Sequence, residues 1–243
     1  MVLLIDEFSR TIDAYRQQRL DQTFFEQWRG LIQATLPDVC YVMVVQVQTY
    51  NLLNQERGQM TVAPIWHLLE LGESLPLRPL DQQAARQLNE RPTYNILEYS
   101  PQAIQYIWRL SGGSPFLIHA LCFNLVRHMA HKNERRVERS DVELVHADFM
   151  RPSESLFAHL LDIVHTVQAG LVCRHLARAL ATSARPVPFE KLQTELTNLP
   201  VLRLRHLLEQ LKMQHILVEP QPDQWQFASL LFGRWLAMNR ILE

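Results

Sequence analysis

An α/β class with more helix than strand is predicted for this chain, and three features of the sequence predict it. Two solid apolar runs, 1–5 and 40–45, bracket a helical stripe, as strands do in a crossover unit. Strand patterning then fades after residue 80, while helical periodicity and caps continue. Near Ile216 a short apolar/polar hairpin appears between helices. The expected architecture is a partial parallel sheet, a helical bundle and a winged helix.

The first run, Met1 to Ile5, has no polar alternation, which suits a strand buried on both faces. Such a strand normally has neighbours on each side, so a preceding segment is expected. Asp21 is an N-cap candidate for a helix whose stripe is Phe24, Phe25, Trp28, Leu31, Ile32 and Leu36, and Pro37 closes it. Residues 40–45 form the second strand, and 49–63 read as polar and irregular. A third extended stretch is expected at 75–80. Asp81 then caps a helix carrying Ala84, Ala85 and Leu88, and a helix follows at 100–110. Ser111 to Pro115 breaks the pattern before a long helix with Phe116, Leu117, Ala120, Leu121, Phe123, Leu125 and Val126 facing inward. Ser140 is expected to cap a helix running to about Met150. Helices at 171–184, 189–196 and 202–212, with strands at 216–219 and 225–228 around a proline turn, complete the winged helix.

Composition narrows the function. The chain has 243 residues, 47% of them hydrophobic, and a net charge of -1. That is ample for packed cores and gives no global field toward nucleic acid or anionic lipid. No apolar run approaches the ~20 residues of a spanning helix, so no membrane partner is expected. Cys40, Cys122 and Cys173 lack metal-ligand spacing and are expected as buried thiols. Together with the lack of a secretory leader pattern, they point to a cytoplasmic protein. The histidines, including His119, His128, His131, His146, His159, His165 and His175, show no HxxxH pair with a carboxylate, and no metal cluster is expected of them. His128 and His131 sit beside Lys132, Arg135 and Arg136, where positive charge suits a helix C-terminus.

Met1-Val2-Leu3-Leu4-Ile5-Asp6-Glu7 has the form of a Walker B element, an apolar strand ending in two carboxylates. In that use Asp6 holds Mg²⁺ through its water shell and Glu7 acts on the attacking water. The plainer alternative is an acid that caps the next helix.

The chain resembles the STAND group of P-loop ATPases, kin to AAA+ and origin-recognition ATPases, through VLLIDEF at 2–8, LSGGSPFLIHALCFNLV at 110–126 and QFASLLFGRWL at 226–236. The resemblance implies a partial P-loop ATPase core over 1–79, a helical lid over 80–150 and a winged helix over 151–243. It also implies that Gly113 and Pro115 of the lid turn lie against the nucleotide, and that Gln46 or Gln48 senses the γ-phosphate. ATP and Mg²⁺ are the cofactors implied for the intact protein. The phosphate cradle Gly-x-x-x-x-Gly-Lys-Ser/Thr is not in this sequence. This chain alone is therefore expected to bind no nucleotide, and an N-terminal P-loop segment is the first partner implied.

Other protein partners are expected as well, for a nucleotide-dependent switch. DNA is an alternative partner: Arg203, Arg205, His206 and Lys212 lie on the third helix of the winged helix, where recognition helices carry their cations. Leu202, Leu204, Leu207, Leu208 and Leu211 claim the same helix for a core, and in STAND-like proteins this domain packs back on the ATPase. A further alternative is an interaction scaffold with a degenerate core.

Overall fold

The computed structural model describes residues 1–36, 38–149, 157, 160, 161, 164, 167–182 and 185–239. The chain divides into two compact units, Met1–Leu77 and Arg78–Glu243, against an expected first boundary after residue 79.

In the first unit, β1 (Val2–Ile5) pairs in parallel with β2 (Cys40–Met43), in the register Val2 to Cys40 through Ile5 to Met43. Two helices make the crossover, α1 (Phe8–Arg16) and α2 (Gln22–Thr35). The sequence reading had only the second. Asp21 caps α2 as expected, accepting the Phe24 N–H at 3.2 Å. Leu36 leaves the helix in an extended conformation, as a residue preceding proline must; Pro37 itself lies outside the described residues.

Residues 49–63 are only partly irregular: α3 (Val47–Gln55) takes the first part of the stretch, turns fill most of 56–62, and α4 (Ala63–Leu69) begins at its end. Tertiary packing overrides poor helix propensity there, because Leu53, Ile65, Trp66 and Leu68 join Phe8, Ile12, Phe25 and Ile32 in one buried cluster. The third strand expected at 75–80 does not form; its leucines, Leu75 and Leu77, are exposed to solvent.

Strand β1 is not buried on both faces, contrary to expectation. In a parallel pair, residues in register share a face and alternate along the strand. One face, carrying Ile5, Tyr41 and Met43, packs on the helical cluster. The opposite face carries Val2, Leu4, Cys40 and Val42, and Val2 and Leu4 are 70% and 63% exposed. Cys40 is thus exposed too, although a buried thiol was expected. Burying an aliphatic side chain stabilises by about 1.5–3 kcal/mol, and this face forgoes it. On α2, Leu31 and Leu36 also face solvent instead of the expected core.

The second unit begins with a helical bundle: α5 (Gln82–Glu90), α6 (Pro101–Ser111), α7 (Pro115–Lys132) and α8 (Arg139–Phe149). Asp81 and Ser100 cap α5 and α6, accepting the N–H groups of Ala84 (2.7 Å) and Ala103 (3.3 Å). On α7 the buried positions are Leu117, Ile118, Leu121, Leu125 and Met129; Phe116 and Phe123, expected inward, are exposed on one face seven residues apart. Ser140 does not cap α8, which starts a residue earlier with the Glu138 N–H bonded to Asp141 Oδ2 at 2.8 Å. Strands are not wholly absent either: β3 (Glu98–Tyr99) and β4 (Arg136–Val137) make a two-residue parallel ladder too short to leave a sequence pattern.

Next come α9 (Val167–Thr182), β5 (Val187–Pro188), α10 (Phe189–Glu195), α11 (Val201–Met213), the hairpin β6 (Leu217–Gln221) with β7 (Gln224–Phe227), and α12 (Leu230–Asn239). The three strands form an antiparallel sheet in the order β5-β7-β6. Leu204, Leu207, Leu208 and Leu211 of α11 are buried, but Leu202, expected with them, is 83% exposed because it falls off the face those four leucines share. Bundle and C-terminal elements share one continuous hydrophobic cluster.

A polar contact also joins them. Arg234 on α12 donates through Nη1 to His146 Nε2 (2.9 Å) and to Tyr106 Oη (3.1 Å). A guanidinium only donates, so Nε2 must accept and the ring is neutral. Burial first, and then the Arg234 charge, hold His146 below its ordinary value of 6.5. The neutral ring is the folded-state form, so this contribution to stability is complete above about pH 6.5 and declines as pH falls below it. Thermal midpoints at pH 7.5 and 5.0 are expected to differ more for the wild type than for His146→Gln, which keeps an acceptor for Arg234. A residual difference is expected in the variant from His215, which burial and Arg78 also hold low.

Candidate functional site

The C-terminal ends of β1 and β2 bring Asp6, Glu7 and Gln46 to one edge of the parallel sheet, the edge at which open α/β sheets bind ligands. The backbone there is tightly tied: Val44 N–H donates to Ile5 O and Phe8 N–H to Val44 O, both at 2.9 Å. Asp6 Oδ1 accepts the Glu7 N–H at 2.8 Å, which fixes the carboxylate. Its other oxygen has no protein partner among the described residues. Glu7 adopts φ 51°, ψ 36° and pairs with Arg10. A left-handed glutamate costs about 1 kcal/mol, and such local strain gathers at functional sites. Glu7 is the N-cap residue of α1, but its side chain makes no cap hydrogen bond.

Gln46 is exposed and precedes α3. Its backbone N–H donates to Ser9 Oγ at 2.7 Å, and Ser9 is buried. The sequence reading missed Ser9; a serine one turn into a helix carries no local sign that it will reach a strand end 37 residues away. The side chain of Gln48, the other candidate, lies outside the described residues. The set Asp6, Glu7 and Gln46 offers exposed oxygen donors suited to a water-mediated Mg²⁺ ion.

Gly113 and Pro115 lie in the second unit, in the turn between α6 and α7. Ser114 caps α7, with Pro115 at its first position. Gly112 and Gly113 both have positive φ, 63° and 76°. The backbone of Ala228 and Ser229 packs on Gly112, and that of Leu80 on Gly113.

The cations of α11 are engaged. Arg203 bonds Gln168 Oε1 at 2.9 Å; Arg205 pairs with Asp223 at 2.8 Å and lies over the Phe189 ring. Lys212 bonds Glu219 at 2.5 Å and lies 5.5 Å from the Trp225 ring centroid. That hydrogen bond raises the lysine above its ordinary value and lowers the glutamate below its own. No cluster of metal-ligating side chains occurs among the described residues, and His159 and His165 lie outside them. The thiols of Cys122 and Cys173 are pushed up to about 11 and about 12 by burial. No described helix is long and apolar enough to cross a membrane.

No protein-family model and no curated protein matches the chain. Solved structures do, and they place it in the AAA+-related fold of P-loop ATPases. The Aeropyrum pernix ORC2 protein, solved in ADPNP and ADP complexes, matches 98% of this chain at 14% identity and a TM-score of 0.62. The Walker-type ATPase of Pyrococcus abyssi matches 97% at 13% identity and a TM-score of 0.53. This chain spans 63% and 62% of those two chains. At such identities the likeness is one of fold.

Proposed function

We propose that this chain is the C-terminal share of a STAND/AAA-like regulatory ATPase: a Walker B strand with Asp6 as the magnesium partner and Glu7 as the base, a helical lid, and a winged helix. The observation that carries this reading is the pairing of two exposed carboxylates with Gln46 on the ligand-binding edge of a parallel sheet whose opposite face is bare. The carboxylates fit Mg²⁺, while the amide cradle for the phosphates must come from a P-loop segment. That segment brings an apolar strand and helix, which fit against Val2, Leu4, Cys40 and Val42. Bound Mg·ATP would supply the charge and the scissile phosphate; Asp6, fixed by the Glu7 N–H, orients the ion's water, and Glu7 takes a proton from the attacking water.

The helix-strand-helix-helix-hairpin order of α9 to α12 supports the winged-helix reading. The commitment of Arg205 and Lys212 to the hairpin's own Asp223 and Glu219 supports an intramolecular role over contact with duplex DNA. We read the intact protein as a cytoplasmic, nucleotide-dependent switch.

The test is to measure Mg·ATP binding by this chain alone and joined to a candidate P-loop segment, and to follow Cys40 with a thiol reagent. The chain alone is expected to bind no ATP at micromolar concentration and to react rapidly at Cys40, with Cys122 and Cys173 slow. The joined protein is expected to bind ATP and to protect Cys40. Tight binding by the chain alone, or an unprotected Cys40 in a joined protein that binds ATP, would overturn the reading.

A further inference from the structure

The Gly112-Gly113 turn is gripped from two sides by backbone from distant parts of the second unit. On one side, Leu80 donates its N–H to Gly113 O at 2.8 Å, and its carbonyl accepts the Trp108 indole N–H at 2.9 Å. A Cβ on Gly113 would lie 2.3 Å from Leu80 O, so the approach needs glycine. On the other side, a Cβ on Gly112 would lie 2.4 Å from Ala228 O. There the Ser229 hydroxyl donates to Leu110 O at 2.9 Å and accepts the Phe232 N–H at 3.3 Å, so one side chain fastens the turn and the start of α12.

What leads up to Leu80 is slack by contrast. Residues 73–79 have no regular structure and make no backbone–backbone hydrogen bond among the described residues, and they carry the chain from one unit into the other. Arg78 faces His215 and Pro79 lies against Gly113, so the free strap is 73–77 and Leu80 is the first hydrogen-bonded peg after it. Contacts on both flanks of the turn are backbone against backbone, with no rotamer to absorb a shift, and close-packed interiors transmit such displacements.

We infer that the turn is a mechanical relay: tension on the strap displaces Leu80, and the displacement passes through Gly113 and Gly112 to Ala228–Ser229, and so to the hairpin and α12. It gives the proposed switch an output route within the second unit, yet its test needs no nucleotide and stands or falls separately.

The test is amide hydrogen exchange, read by NMR on the full chain, in two conservative variants. Trp108→Phe removes one strap-side bond; Ser229→Ala removes the far-side fastening. Each loses a hydrogen bond, for which about fivefold faster exchange at the affected site is expected. In Trp108→Phe, the Leu80 amide and also the Ala228 amide, bonded to Ile216 O at 2.9 Å, are expected to accelerate. In Ser229→Ala, the Leu80 amide is expected to accelerate in turn. Leu125, fully buried in the middle of α7, reports global opening and is expected to keep its rate. Acceleration confined to the mutated side, or shared equally by Leu125, would overturn the relay.

Discussion

Gly112→Ala is expected to destabilise the second unit by about 2–4 kcal/mol, combining the left-handed penalty for a non-glycine residue with overpacking against atoms that cannot rotate away. At φ +63° the new methyl would meet Ala228 O at 2.4 Å and Ser229 N at 2.8 Å, both main-chain atoms. Against a total stability of about 5–15 kcal/mol such a loss is large, and it should lower the melting temperature by roughly 10 °C. Gly30→Ala is the control: it sits inside α2 with no atom within 4 Å of a new Cβ. There the same methyl is expected to stabilise by up to about 1 kcal/mol, because glycine is the poorer helix former. Calorimetry or denaturant titration checks both. A Gly112→Ala protein that melts with the wild type would remove the steric basis for the turn's geometry.

The larger kinetic effect is expected at the acidic pair. In a protein completed with a P-loop segment, Glu7→Gln should lower steady-state ATP hydrolysis by about 10²–10⁴-fold, the usual share of a general base. Nucleotide affinity should stay within a few-fold, since the amide is isosteric and Asp6 is untouched. Asp6→Asn should weaken the magnesium dependence of binding and slow hydrolysis as well. Hydrolysis by Glu7→Gln at the wild-type rate would take the base role away from this residue.

How much of this was legible depended on whether the signal was local. Parallel pairing of β1 with β2 followed from two valine- and leucine-rich runs around a helix, and Asp21, Asp81 and Ser100 cap as their residue types suggest. Burial of those strands did not follow. Apolarity records what a strand can bury, whereas exposure depends on which neighbours are present, and one face here is left exposed among the described residues. Helix α3 was missed because its polar letters conceal the core anchor Leu53, and α4 because seven mostly apolar residues are too few to show a period. Phe116 and Phe123 were misassigned since the first nine residues of α7 hold a single polar side chain and so give no phase; the aliphatic positions around them set it.

The site divides in the same way. Asp6, Glu7 and Gln46 could be picked as candidates because an abrupt apolar-to-acidic step and a strand end are visible in one dimension. Ser9, Trp108 and Ser229 act through bonds spanning 37, 28 and 119 positions, and no window of sequence contains both partners.

The two-stranded sheet of the first unit has a consequence for handling the protein. Its outer strand edges offer unsatisfied amides and carbonyls beside an oily surface, the combination that templates adventitious strand addition. Produced by itself, the chain should stick to copies of itself more readily as concentration rises, and yield in soluble form should improve when a matching P-loop polypeptide is made in the same cell.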